Sequence, residues 1–308
     1  MSTINPATPK SHLHHPPTMS KHSVLLIGAS GWVGPYFSSE FLLQKEKFAR
    51  LAILADPAKV SKFTKEAASG FTTVICLLGN APMALQPKII DSAILGGVTH
   101  FYPSEFGSDL AHPVAQTQRY FRDKIITRRH LEEVAKKHDT FGYTYIMNGG
   151  FAEFAAHPAF GFNKEEKKFE FWGDTGMIQP FTGVKDVAKY VVASVLAIPE
   201  PGTVLTSQER PLKIPTSSYT WDEIVAIISR LEGVEYQIIR HPNVEAQAQT
   251  AKFAAIGDVD NELAWTLKAF IGDPKSDPVP KPWDNDKFPE VIPESLEVSL
   301  KRYLAAPK

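Results

Sequence analysis

Cysteine is almost missing: Cys76 is the only one in 308 residues. That excludes an intramolecular disulfide and any cysteine-cluster zinc or iron–sulfur site, and it suits a reducing compartment, so a cytoplasmic protein is expected. Long apolar runs are missing too. None approaches the roughly 20 residues that span a bilayer, and the N-terminus lacks the basic-then-apolar order of a secretory signal. Neither membrane insertion nor export is expected. Charge of one sign is not in excess either, since 33 Lys and Arg face 34 Asp and Glu for a formal net charge of −1. No block of like charge is long enough to track a phosphate backbone, so nucleic-acid binding is not expected. The chain has no His-Glu-x-x-His pair, no nucleophile elbow and no Gly-Lys-Ser/Thr loop, so metal sites and NTP hydrolysis are unsupported.

What is present is an ordinary folding chain, 43% hydrophobic and long enough for one large α/β domain or two small ones. Residues 1–21 carry Pro6, Pro9, Pro16, Pro17 and the histidines His12, His14 and His15, with too little apolar surface to offset chain entropy; a disordered leader is expected. From Ser23 the pattern alternates. Strands are predicted at 24–27, 51–55, 73–78, 98–102 and 143–147, with helices after Gly34, over 57–69, 85–95 and about 116–137. Such alternation implies a doubly wound parallel sheet with helices on both faces, a Rossmann arrangement over 22–150. Residues 151–308 are less regular, with helices at 184–196 and 221–231, and are expected to cap the sheet as a smaller C-terminal substrate domain. Residues 241–308 give no clear signal, and a homodimer face there stays open.

The segment Gly28-Ala29-Ser30-Gly31-Trp32-Val33-Gly34 follows a predicted strand and opens a predicted helix. This is the context of a phosphate-binding turn: one glycine for the tight turn, one for close approach of a pyrophosphate, one for helix–strand packing. All of Gly28, Ser30, Gly31, Trp32, Val33 and Gly34 are therefore candidates for holding a dinucleotide. Its flavour is read from the end of the second strand. Asp56 there argues for NAD, whereas Lys59, Lys62 and Lys65 argue for NADP, and either set can instead be a helix cap and a solvated face. The balance falls to NADP(H), with NAD(H) still open.

The glycine turn, then Gly97-Val98-Thr99-His100-Phe101-Tyr102-Pro103-Ser104-Glu105-Phe106-Gly107, then Lys124, Arg128 and Arg129, then Tyr143-Thr144-Tyr145, resemble the NmrA-like branch of the short-chain dehydrogenase/reductase superfamily, the isoflavone reductase-like proteins. Gly173-Asp174-Thr175-Gly176, Val184-Lys185-Asp186-Val187 and Trp221-Asp222-Glu223 extend the likeness to residues 23–240. The resemblance implies an NADP-binding Rossmann domain, a smaller substrate domain, reduction of a small, often aromatic, natural product, and a catalytic role for Lys124. The chain also departs from the pattern. Residues 57–70 leave room for about one crossover helix, so the third strand of the relatives is expected to be missing and the sheet to end at the second strand. The arginine that many relatives place after the second strand is absent as well.

Tyr120 and Lys124 stand four apart in a stretch read as helix, which puts them on one face in the Tyr-x-x-x-Lys spacing of short-chain dehydrogenases. In that chemistry the ammonium lowers the phenol pKa and anchors the nicotinamide ribose, and the phenol protonates the carbonyl. Ser104 and Glu105 follow a predicted strand, where open sheets place their ligand crevice, and are candidates for binding a substrate oxygen and for acid–base work; the alternative is that they shape a turn. Asn148, Phe151, Phe154 and His157 follow the last strand, and with Trp172 they are expected to line a substrate pocket. Three functions stay open at this point: an NADPH-dependent reductase of an aromatic or heterocyclic secondary metabolite, a non-redox cyclase, condensing enzyme or dehydratase using Glu105 and Tyr120, and a nucleotide-sensing regulator.

Overall fold

The computed structural model describes residues 21–306. The expected leader, Lys21 aside, lies outside the described residues. Strands β1 (Ser23–Ile27), β2 (Arg50–Leu54), β3 (Thr73–Cys76), β4 (His100–Tyr102) and β5 (Gly142–Met147) alternate with helices α1 (Gly34–Leu43), α2 (Pro57–Ser61), α3 (Lys65–Ala68), α4 (Gln86–Leu95), α5 (Pro113–Gln116) and α6 (Arg122–Ala135). Short strands β6 (Gly150–Phe151), β7 (Phe162–Asn163), β8 (Lys168–Trp172) and β9 (Ile178–Thr182) precede α7 (Val184–Leu196). Then come β10 (Glu209–Lys213), β11 (Ser217–Thr220), α8 (Trp221–Glu232), β12 (Gln237–His241), α9 (Asn243–Ile256), α10 (Val259–Ile271) and α11 (Leu296–Ala305).

The central sheet runs β10-β5-β4-β3-β1-β2, every pair parallel. Its middle strands are continuous apolar runs because both faces are covered: α1 and α7 pack over one face, α4 and α6 over the other. At the edge, β2 is only half-buried along Leu51–Leu54, and the chain from there to Thr73 contains α2 and α3 and no strand. The expected loss of the third strand is thus seen directly. The sixth strand, β10, comes from beyond residue 150 and pairs with β5, and α7 joins the same core. The chain therefore crosses the division expected at residue 150. Two small sheets, β11-β9-β6 and β12-β8-β7, sit outside the main one.

Two readings of the sequence need correction, and a stretch that gave no signal proves helical. The helix expected over 57–69 is two short helices, because the intervening Phe63 turns into the core at 4% exposure. The helix expected over 116–137 begins only at Arg122; Gln118 is extended and Arg119–Phe121 form a 3-10 turn whose Phe121 ring is buried edge-on against Phe270 at 5.0 Å. The silent tail holds α9, α10 and α11. Of these α9 buries only Ala246, so it carries no apolar period to read.

His100 on β4 is 6% exposed and shares a 2.8 Å hydrogen bond with the Thr144 hydroxyl. Burial pushes its pKa down to about 3, with the nearby Arg210 charge acting the same way. The folded protein thus keeps His100 neutral while the unfolded chain binds a proton below about pH 6.5, so its contribution to stability is complete above that value and is lost as pH falls toward 3. The loss is about 1.4 kcal/mol per pH unit inside that window. Urea unfolding of the wild type and of His100→Gln at pH 7 and pH 4.5 is expected to show the wild type losing about 2–3 kcal/mol more than the variant. Equal losses would remove His100 as the cause.

Candidate active site

The glycine turn joins β1 to α1. Gly28 sits at φ +82 and donates its amide to the Leu54 carbonyl at 2.9 Å, tying the turn to the edge strand. A Cβ on Gly34 would lie 1.9 Å from the Ala29 carbonyl oxygen, so only glycine lets α1 start this close to β1. Gly31 differs: a Cβ there would meet nothing nearer than the Gly28 oxygen at 3.6 Å, and the residue is exposed. Its missing side chain leaves open space rather than serving internal packing. Above it, α1 begins with no side-chain cap and no acidic residue in its first turn. Pro35 has no N–H and the Gly34 and Tyr36 amides already donate to the Gly31 and Val33 carbonyls, so it is the open space at Gly31 and the positive end of α1 that fit a pyrophosphate. Ser30 is exposed beside Gly31 and Val33 takes the N-cap position. Trp32 leans across onto Phe154, ring centroids 4.2 Å apart, and meets Phe151 edge-on at 5.6 Å.

The conflicting signals after β2 separate in the structure. Asp56 caps α2, one carboxylate oxygen accepting the Ala58 amide at 2.9 Å. Lys59 stands exposed on the same short helix.

Beyond the carboxyl edge of the sheet lies a pocket of about 140 Å³, partly open to solvent. Tyr120, Lys124, Phe151 and Phe154 all line it. Tyr120 does so from the 3-10 turn and Lys124 from the first turn of α6, so they meet one cavity without sharing a helix. Phe106, Phe181, Trp221 and Phe270 complete the aromatic wall, Gln179 joins it as a polar member, and Lys124 is the only charged residue lining it among the described residues. Nζ of Lys124 donates to the backbone carbonyl of Glu105. Burial holds the ammonium below the ordinary lysine pKa; the Glu105 charge opposes that shift and the Arg128 charge adds to it. Tyr120 is moved the other way: burial raises its phenol, against a hydrogen bond with Asn80. At neutral pH the pocket thus holds a phenol that keeps its proton and an ammonium readier than usual to release one.

Ser104 and Glu105 do not reach this pocket. The Ser104 hydroxyl donates to the Leu78 carbonyl at 2.7 Å and its amide donates to Gln86 Oε1 at 2.7 Å. The Glu105 carboxylate accepts from Arg128 at 2.8 Å, with both side chains largely buried and the guanidinium lying 4.1 Å over the Tyr145 ring. These contacts fix the loop whose carbonyl receives Lys124. Phe106, next in line, adopts φ +28, a left-handed conformation that a bulky residue takes only when its surroundings force it, and its ring packs on Phe37 at 5.2 Å.

Of the five substrate-lining expectations, three are placed elsewhere. Asn148 is fully buried and donates to the Gly149 carbonyl at 3.0 Å. His157 accepts the Ala159 amide through Nδ1 at 3.1 Å, capping the turn 158–160, and burial lowers its pKa. Trp172 stacks on His241 at 4.8 Å and meets Trp265 at 4.9 Å, packed against α10 with Lys268 above both indoles. What the sequence reading missed is the far wall, Gln179, Phe181, Trp221 and Phe270; only Trp221 falls in a run already noted, Trp221-Asp222-Glu223, and without a pocket role there.

The sequence outside these motifs carries the same likeness. The model of the NmrA-like family matches residues 52–264, more than half of the chain. The chain belongs to the NmrA-like family. The matched range holds Lys124 and every pocket residue except Pro278, Leu267, Phe270 and Ile271, while the glycine turn lies upstream of it. Among curated relatives, phenylcoumaran benzylic ether reductase Pyrc5 of Pyrus communis is 25% identical over 253 residues, 72% of this chain and 79% of its own. Among solved structures, the leucoanthocyanidin reductase–NADPH binary complex from Vitis vinifera superimposes with a TM-score of 0.65 at 14% identity, covering 92% of this chain and all of that one. AtPrR2 with NADP+ and (+)-pinoresinol gives a TM-score of 0.64 at 18% identity over 92% of this chain and 99% of its own. At such identities the structural likeness shows the fold: a Rossmann sheet with helices on both faces. Among the described residues no helix is long and apolar enough to cross a membrane.

Proposed function

We propose that this NmrA-like protein is an NADPH-dependent reductase of a small aromatic or heterocyclic metabolite, with Lys124 and Tyr120 managing the proton. One observation carries the reading: an aromatic pocket, open at its mouth, whose sole charged lining group among the described residues is a buried lysine. Aromatic walls select a flat apolar substrate, and a lone ammonium in a low-dielectric site responds strongly to negative charge developing on a substrate oxygen. NADPH, when bound, supplies the hydride. The glycine turn and the uncapped start of α1 would hold its pyrophosphate, and Lys59 beside the open edge of β2 would meet the 2′-phosphate. The NADPH-bound leucoanthocyanidin reductase and NADP+-bound AtPrR2 support the same cofactor on this fold.

Within the chain, Tyr120 holds its proton through the neutral range, while Lys124, held at the Glu105 carbonyl, keeps further N–H donors for substrate. An acid–base enzyme working through Glu105 finds less support, because one oxygen of that carboxylate is paired with Arg128 and the group stands outside the pocket lining. The test is to incubate the purified protein with metabolite extract and NADPH carrying deuterium at C4 of the nicotinamide. A product gaining one deuterium per NADPH consumed is the expected result. Product formed without deuterium and without cofactor loss would overturn the reductase reading.

A further inference from the structure

The size and rigidity of the pocket restrict the substrate further, given the reading of this cavity as the substrate site. Its space amounts to about 140 Å³ and opens to solvent at the mouth. An apolar cavity of about 150 Å³ admits a benzene, whereas sites that bury drug-sized ligands run to about 300–1,000 Å³. The floor cannot retract to make room. Trp221 and Phe270 are 1% exposed, Phe121 2% and Phe181 3%, all members of one core cluster. Trp221 is stacked by Phe169 at 5.5 Å and met edge-on by Phe181 at 5.8 Å. Moving these rings would open voids in a close-packed core. Only the mouth, formed by half-buried Phe151, Phe154 and Phe160, has freedom, and Trp32 braces Phe154 from the glycine turn.

Polar groups in the wall are few. The Gln179 amide nitrogen donates to the Ile271 carbonyl at 3.3 Å, and beside the Ser108 and Tyr120 hydroxyls Lys124 is the one charged donor, with one of its three protons on the Glu105 carbonyl. We propose that the substrate carries a single aromatic or heteroaromatic ring with one oxygen substituent directed to Lys124 and at most a short apolar side chain. Two-ring compounds of the pinoresinol kind that AtPrR2 binds are shut out by the floor and by the braced Phe154.

The experiment uses full-length protein saturated with NADP+, quenching of tryptophan fluorescence as the signal, and two probes, 4-propylphenol and 4-benzylphenol. Burial of apolar area alone favours the two-ring probe, so the size limit predicts the opposite order. We expect 4-propylphenol to bind at least tenfold more tightly, and Phe154→Ala to close that gap by admitting the second ring; Phe160→Ala serves as a second opening of the mouth if Phe154→Ala does not fold. Equal or tighter binding of 4-benzylphenol by the wild type would overturn the size limit and leave the reductase reading standing. If neither probe binds while NADPH does, the pocket is not the substrate site, and both readings fall.

Discussion

Replacing Lys124 by methionine is expected to lower turnover by about two to four orders of magnitude, the usual contribution of a positioned proton-transfer group, while the Kd for NADPH changes less than about tenfold. The substitution is conservative for the fold. Lys124 is only 9% exposed and burial already penalises its charge, so an apolar side chain of similar length removes a desolvation penalty as it leaves the Glu105 carbonyl without a donor. These effects oppose one another, and the melting temperature is expected to stay within a few degrees. The wild-type pH–rate profile supplies a second readout. Because the ammonium loses its proton below the ordinary lysine pKa of 10.5, activity that needs the charged form declines before pH 10.5 is reached. That alkaline decline is expected to vanish from whatever rate remains in Lys124→Met. A variant keeping more than a tenth of wild-type turnover would remove Lys124 from the chemistry.

How far the site was legible in the sequence depends on what kind of information each residue needs. The glycine turn is local: strand, turn and helix are contiguous, so the spacing alone implies backbone roles for Gly28 and Gly34, and φ +82 and the 1.9 Å approach match those roles. The missing third strand was legible for the same reason, since chain length between β2 and β3 bounds what fits. Side-chain partners are tertiary information. Ser104 and Glu105 stand where a ligand crevice belongs, yet Leu78 and Gln86 hold the hydroxyl and amide of Ser104 and Arg128 holds one carboxylate oxygen of Glu105, all from far off in sequence. His157 and Asn148 were likewise polar residues in the right region, each engaged by nearby backbone. The far wall was the least legible part: Phe181, Trp221 and Phe270 come from β9, α8 and α10, and only the fold makes them neighbours of Lys124. Their burial looks like core from the sequence, and it is core; the pocket is a gap in that core.

Two substitutions in the glycine turn separate packing from ligand binding, and the expected results differ sharply. Gly34→Ala places a methyl 1.9 Å from the Ala29 oxygen and 2.4 Å from its carbonyl carbon. Backbone cannot yield as a flexible side chain would, so α1 must move away from β1, at about 3 kcal/mol or more in urea unfolding. Cofactor affinity is expected to fall with it, because the positive end of α1 moves away from the turn. Gly31→Ala meets only ordinary contacts and has no left-handed φ to strain. Its stability is expected to stay within about 1 kcal/mol of wild type, the stiffer unfolded chain acting in its favour. If a pyrophosphate approaches the backbone at this position, the added methyl occupies its path, and NADPH binding followed by calorimetry is expected to weaken about 30- to 100-fold, roughly 2–3 kcal/mol. Unchanged affinity in a fully stable Gly31→Ala would mean that the cofactor does not cross the turn here, whatever the family resemblance implies. A loss of affinity confined to the variant that leaves the fold intact ties the glycine to the ligand, because no packing change remains to explain it.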